Sequence, residues 1–87
     1  MTRKTFLLMT NKQKYDKCFI DNFSVDESKL GDGLVYNTIP SWDSVGHMAL
    51  TAAIEEVFDI IMETDDIIDF SSYKKGFEIL AKYEIEI

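Results

Sequence analysis

The chain has little of what builds elaborate chemistry. Its 87 residues include one cysteine, one histidine, one proline and one tryptophan. A single cysteine, Cys18, forms no internal disulfide, and with a single histidine it leaves no zinc set, which takes about four Cys or His ligands. A reducing, cytoplasmic setting is expected. Long hydrophobic runs are missing as well. Behind Arg3 and Lys4 the apolar segment Phe6-Leu7-Leu8-Met9 spans four residues, where an export signal takes roughly 7–15 and a membrane span about 20; neither is expected. Bases are scarce, and a net charge of −7 argues against nucleic acid, whose phosphates are held mainly by Lys and Arg. Folding at this length buries only about 60–70% of the unfolded surface, which leaves no material for a second core or a large catalytic cleft.

What is present is a packed, acidic, single domain. Hydrophobic residues make up 46% of the chain and aromatics 13%, enough for a core. Charge is uneven: residues 1–20 carry five bases and one acid, residues 21–72 one base and twelve acids, and residues 73–87 three of each. The acidic middle suits either a solvated face or docking onto basic partners.

Thr10-Asn11-Lys12-Gln13 has the form of a capping box, which satisfies two backbone donors at a helix start. A helix is expected from there, with Tyr15, Cys18, Phe19 and Phe23 as its buried stripe. Cys18 is read as core. Residues 1–9 are expected to be a disordered, dispensable extension, leaving 10–87 as the domain. From Ser24 to Trp42 the period is lost and turn formers dominate, so a long loop is expected, anchored by Leu30, Leu34, Val35 and Ile39, with Trp42 either a further anchor, the commoner case, or an exposed contact. Asp43 and Ser44 are both good N-caps. A second helix over about 44–59 buries Val45, Leu50, Ile54, Val57, Phe58 and Ile61, with Glu55, Glu56 and Asp59 off that stripe. A short acidic helix capped by Thr64 and a final helix after Ser71 or Ser72, burying Tyr73, Phe77 and Leu80, complete an all-α layout. No hairpin signal or internal repeat is present.

Candidate chemistry is sparse. Ser44 and His47 share one side of a helix start, but Asp43 neighbours the serine and not the far side of the imidazole, and no Gly-x-Ser-x-Gly elbow exists, so a hydrolase is not expected. His47 is read as an ordinary exposed helix residue. Asp26-x-Ser28-x-Leu30-Gly31 has the opening of a calcium loop, yet Leu30 and Asn37 stand where ligands are needed. Glu63 to Asp69 reads as a solvated acidic face. Ser44 remains, at the positive end of a helix, where a phosphate ester would be stabilised by the dipole and free backbone donors.

The segment Asp43-Ser44-Val45-Gly46-His47-Met48-Ala49-Leu50, continuing through Ala53-Ile54-Glu55-Glu56-Val57-Phe58-Asp59, resembles the second-helix signature of acyl carrier proteins. In that family Asp-Ser-Leu precedes an aliphatic helix ending in Leu-Glu-Glu and Phe. The resemblance implies a four-helix bundle with a long loop between the first two helices and a short third helix, over about residues 10–86. It implies 4'-phosphopantetheine on Ser44, added from coenzyme A by a magnesium-dependent phosphopantetheinyl transferase that reads Asp43. It further implies a non-enzymatic monomer that carries acyl or aminoacyl thioesters and is served by a ligase, acyltransferase or condensing enzyme. Met48 matches an apolar position beside the arm, and Glu55 and Glu56, with Asp59 nearby, match the acids that partners grip. Val45 replaces the usual Leu. Gly46 and Ala49 stand where many housekeeping carriers have acids, which implies a dedicated partner in a specialised pathway; Gly46 is also expected to loosen the first turn. The competing expectation is a small acidic helical adaptor without a prosthetic group, in which Ser44 is merely a cap.

Overall fold

The structure, a computed structural model, describes residues 9–87. The expected dispensability of the N-terminal extension therefore falls, for residues 1–8, outside the described residues. Among the described residues four helices occur in chain order: α1 (Asn11–Phe23), α2 (Ser44–Phe58), α3 (Thr64–Asp69) and α4 (Tyr73–Ala81), with one 3-10 turn at Glu27–Lys29. The described residues are mostly helical and include no named strand, as an all-α reading requires. No helix among them is long and apolar enough to cross a membrane.

The capping box forms as the sequence specifies: Gln13 N–H donates to Thr10 Oγ1 at 3.1 Å and Thr10 N–H to Gln13 Oε1 at 2.8 Å. The α1 stripe is buried throughout, with Tyr15 and Phe19 fully inaccessible. Burial pushes the Cys18 thiol up to about 12, so it stays protonated and behaves as a small apolar group. Around this stripe, Trp42, Leu50, Ile54, Phe70 and Leu80 complete one core. Tyr15 reaches across it, its hydroxyl donating to the Tyr73 carbonyl at 2.6 Å. Gly76 makes that approach possible, since a Cβ there would stand 2.0 Å from the Tyr15 hydroxyl.

The loop from Ser24 to Trp42 is tied down by few side chains and several backbone bonds. Leu34 and Trp42 are buried and Leu30 and Ile39 half-buried, but Val35, expected as an anchor, is exposed. Val35 contributes through its backbone, in an antiparallel bridge to Ser72. The flanking bonds are Tyr36 N–H to the Ser71 carbonyl (2.8 Å) and Tyr73 N–H to the Leu34 carbonyl (2.9 Å). They fix the loop against the segment before α4. Asp26 spends its carboxylate on the Ser28 N–H at 3.0 Å, as the cap of the 3-10 turn.

Helix α2 departs from its expected stripe at both ends. Val45 is 76% exposed, and Ile61 lies beyond the helix at 87%. The buried face runs through Leu50, Thr51 and Ile54, with Thr51 Oγ1 bonded back to the His47 carbonyl at 3.1 Å. Gly46 explains the offset. A Cβ on it would stand 1.9 Å from the Ser41 carbonyl oxygen and 3.3 Å from the Phe23 ring, so Gly46 is the residue turned toward α1 and Val45, about 100° further round, faces out. The expected loose first turn is thus a close packing point. Helices α1 and α2 both end in left-handed residues, Ser24 (φ 55°) and Asp59 (φ 55°), neither of them glycine.

Two expectations about α3 also change. Thr64 is its first residue and not its cap, which is Glu63 and makes no side-chain cap bond. The acidic face is only partly solvated: Asp66 is 3% exposed and is held by Lys82 and by the Tyr83 hydroxyl, the latter at 2.6 Å. Helix α4 begins as expected, with Ser72 Oγ accepting from Lys75 N–H at 2.9 Å; Tyr73 and Leu80 are buried and Phe77 half-buried.

Candidate functional site

Ser44 is the first residue of α2 and is exposed. Its neighbour Asp43 is the N-cap, with a carboxylate oxygen 2.8 Å from the Gly46 N–H. The other first-turn amides have no intrahelical acceptor, which leaves donors pointing at whatever occupies the helix start. Met48 lies one turn on, 58% exposed on the same side as Ser44.

Beside Ser44 opens a groove of about 310 Å³. Ser44, His47 and Met48 form the α2 wall, Ile67 and Ile68 the α3 wall, and Phe70, Ser71 and Tyr36 close the remaining sides. The wall side chains are mainly apolar, and Ser44 stands at their edge with its hydroxyl accessible. Spacing puts Ser44 and His47 on one side of the helix and the family resemblance adds Met48, but neither brings in Tyr36, Ile67, Ile68, Phe70 or Ser71. The signal available for α3 was the Ile67-Ile68 pair inside an acidic helix, since one helix of this length cannot bury both.

His47 is not an ordinary exposed helix residue. Its Nδ1 accepts from the Trp42 indole N–H at 3.0 Å, and its Nε2 lies 2.7 Å from the Ile67 carbonyl oxygen. An indole only donates and a carbonyl only accepts, so the ring carries its proton on Nε2. Tyr36 meets the imidazole edge-on at 5.5 Å and Trp42 lies parallel to it at 6.3 Å. With both nitrogens engaged, neither is free to take a proton from Ser44.

The acids expected to form a docking face separate into two kinds. Glu56 and Asp59 are exposed. Glu55 is half-buried and its carboxylate accepts from the Met62 N–H at 2.8 Å, where the chain leaves α2. Ala49 is exposed and Gly46 partly covered. Among the described residues no group of three or more His, Cys, Asp or Glu side chains is placed to hold a metal ion.

No family model, no curated protein and no solved structure matches this chain.

Proposed function

We propose that the protein is a carrier of acyl-carrier type, with 4'-phosphopantetheine esterified to Ser44. The observation that carries this reading is an accessible serine hydroxyl on the first turn of α2 at the rim of an apolar groove. The residues present fit the group: the open helix start favours a phosphodiester, and the groove has room for an apolar chain hanging from it. When bound, the group supplies a terminal thiol that holds an acyl or aminoacyl unit as a thioester. The chain's own residues do the rest. Asp43 fixes the first turn and offers a carboxylate to the transferase. Met48 and the exposed Val45 give a docking enzyme apolar contact around the attachment point. Glu56 and Asp59, with the exposed acids of α3, draw in a basic partner, after which delivery proceeds at high effective concentration. The layout of a long loop, a capped second helix and a short third helix supports the same assignment, and a dedicated ligase, acyltransferase or condensing enzyme is its expected user.

Incubation with coenzyme A, magnesium and a broad-specificity phosphopantetheinyl transferase, followed by intact-mass measurement, tests the proposal. One phosphopantetheine is expected on the wild-type chain and none on Ser44→Ala. A wild-type mass that stays unchanged sinks it.

A further inference from the structure

His47 lines the groove, and its two ring bonds, to Trp42 and to Ile67, lie at the joint between elements. The last four carbonyls of a helix have no intrahelical partner, and in the six-residue α3 these include that of Ile67. It receives a long bond from Phe70 N–H (3.4 Å) and a short one from His47 Nε2 (2.7 Å). Among the described residues, that second bond is the hydrogen bond joining α2 to α3. Elsewhere α3 is fastened to the end of the chain, through Asp66 to Lys82 and Tyr83 and through Glu63 N–H to the Tyr83 hydroxyl at 2.9 Å.

We propose that His47 is a positioning residue that latches α3 to α2 and so sets the width of the groove beside Ser44. Trp42 holds the ring in register from the loop side, because its indole N–H occupies Nδ1 and thereby commits the Nε2 proton to Ile67. Loop, second helix and third helix meet at this one imidazole. The consequence for cargo rests on the carrier reading: the latch governs how far a tethered chain is sheltered between Met48 and Ile68.

The two bonds are separable by substitution. The Oδ1 of Asn stands near where Nδ1 stood, so His47→Asn retains an acceptor for Trp42 and loses the donor to Ile67. The Nε2 of Gln stands near the original Nε2, so His47→Gln retains the donor and loses the acceptor. Amide hydrogen exchange on the unmodified full chain reads the latch without any prosthetic group. In His47→Asn the amides of residues 67–70 are expected to exchange about five- to tenfold faster, the loss of one hydrogen bond, and in His47→Gln within about twofold of wild type. The α1 amides, unchanged in both, report an intact fold. Equal acceleration in the two variants, or a larger one with Gln, overturns the latch. On the wild-type chain alone, imidazole ¹⁵N shifts should show a protonated Nε2 and a bare Nδ1; the reverse tautomer also overturns it. With an octanoyl arm loaded, hydroxylamine should cleave the thioester faster in His47→Asn than in His47→Gln. If no arm can be loaded, the carrier reading fails while the exchange measurement still decides the latch.

Discussion

The Ser41 carbonyl oxygen and the α-carbon of Gly46 are packed so closely that a Cβ on Gly46 would fall 1.9 Å from that oxygen. Glycine inside a helix normally costs about 1 kcal/mol against alanine. Here the replacement must displace backbone, and overpacking costs about 1–3 kcal/mol. A 1.9 Å contact with backbone puts the cost at the upper end of that range, so Gly46→Ala is expected to destabilise by about 2 kcal/mol net, seen as a lower urea midpoint at unchanged slope. A variant as stable as wild type would show that the loop end yields freely. An acid at this position would meet the same obstruction, so partner preference is better examined at Ala49.

Ser44 makes no side-chain hydrogen bond and is exposed, so its removal should leave the fold alone. Ser44→Ala is expected within about 0.5 kcal/mol of wild type, with far-ultraviolet circular dichroism unchanged. A loss above about 1 kcal/mol would mean that the hydroxyl serves the helix start, and not attachment.

Glu55 and Glu56 are adjacent, yet they should report on different quantities. Losing the bond from Glu55 to Met62 N–H is expected to cost about 1 kcal/mol in Glu55→Ala. Glu56→Lys should hardly change stability but should slow association with a basic partner. Because screening acts over about 8 Å at physiological ionic strength, salt should also slow that association more than dissociation. Stopped-flow binding across a salt series checks this, and an association rate indifferent to both salt and Glu56→Lys removes the acids of α2 from the docking surface.

Hydrogen bonds from Lys82 first and Tyr83 second hold the Asp66 carboxyl below its ordinary value of 3.8. A depressed carboxylate contributes stability that is complete above that value and is lost as pH falls through the lower folded-state value. Asp66 also raises Lys82 above 10.5, and this contribution is complete below that value and lost only as pH rises through the folded-state one. Asp66→Asn should therefore lower the thermal midpoint at neutral pH and flatten its fall below about pH 4. Melting curves from pH 2 to 8 that run parallel for the two proteins would rule this out.

Local rules that act within a few residues were legible in the sequence. The Thr10–Gln13 box, the α1 stripe and a cap at Ser71 or Ser72 follow from spacing or residue type, as does the preference for Trp42 as an anchor over an exposed contact. What escaped depended on partners far along the chain. Val45 fits the helical period, but whether a first-turn residue faces in or out is set by what packs against Gly46. Asp66 has the composition of a solvated face and is buried because Lys82 and Tyr83 cover it. His47 owes its role to Ile67, twenty residues away, which no periodicity predicts. In the candidate site, Ser44 and His47 were legible as helix neighbours and Met48 only through the family resemblance, whereas the groove's other walls come from the loop and α3, brought there by tertiary packing.

The left-handed end of α1 has a practical consequence. Ser24 adopts φ 55° there, and its hydroxyl makes no hydrogen bond in the structure. A side chain in this conformation is disfavoured by about 1–2 kcal/mol relative to the right-handed one, and glycine is free of that penalty. Asp59, in the same conformation at the end of α2, is less suitable for exchange because it also belongs to the exposed acids. Ser24→Gly thus offers a more stable parent chain, away from the groove, in which the damaging changes at Gly46 and His47 can be studied while the molecule remains folded.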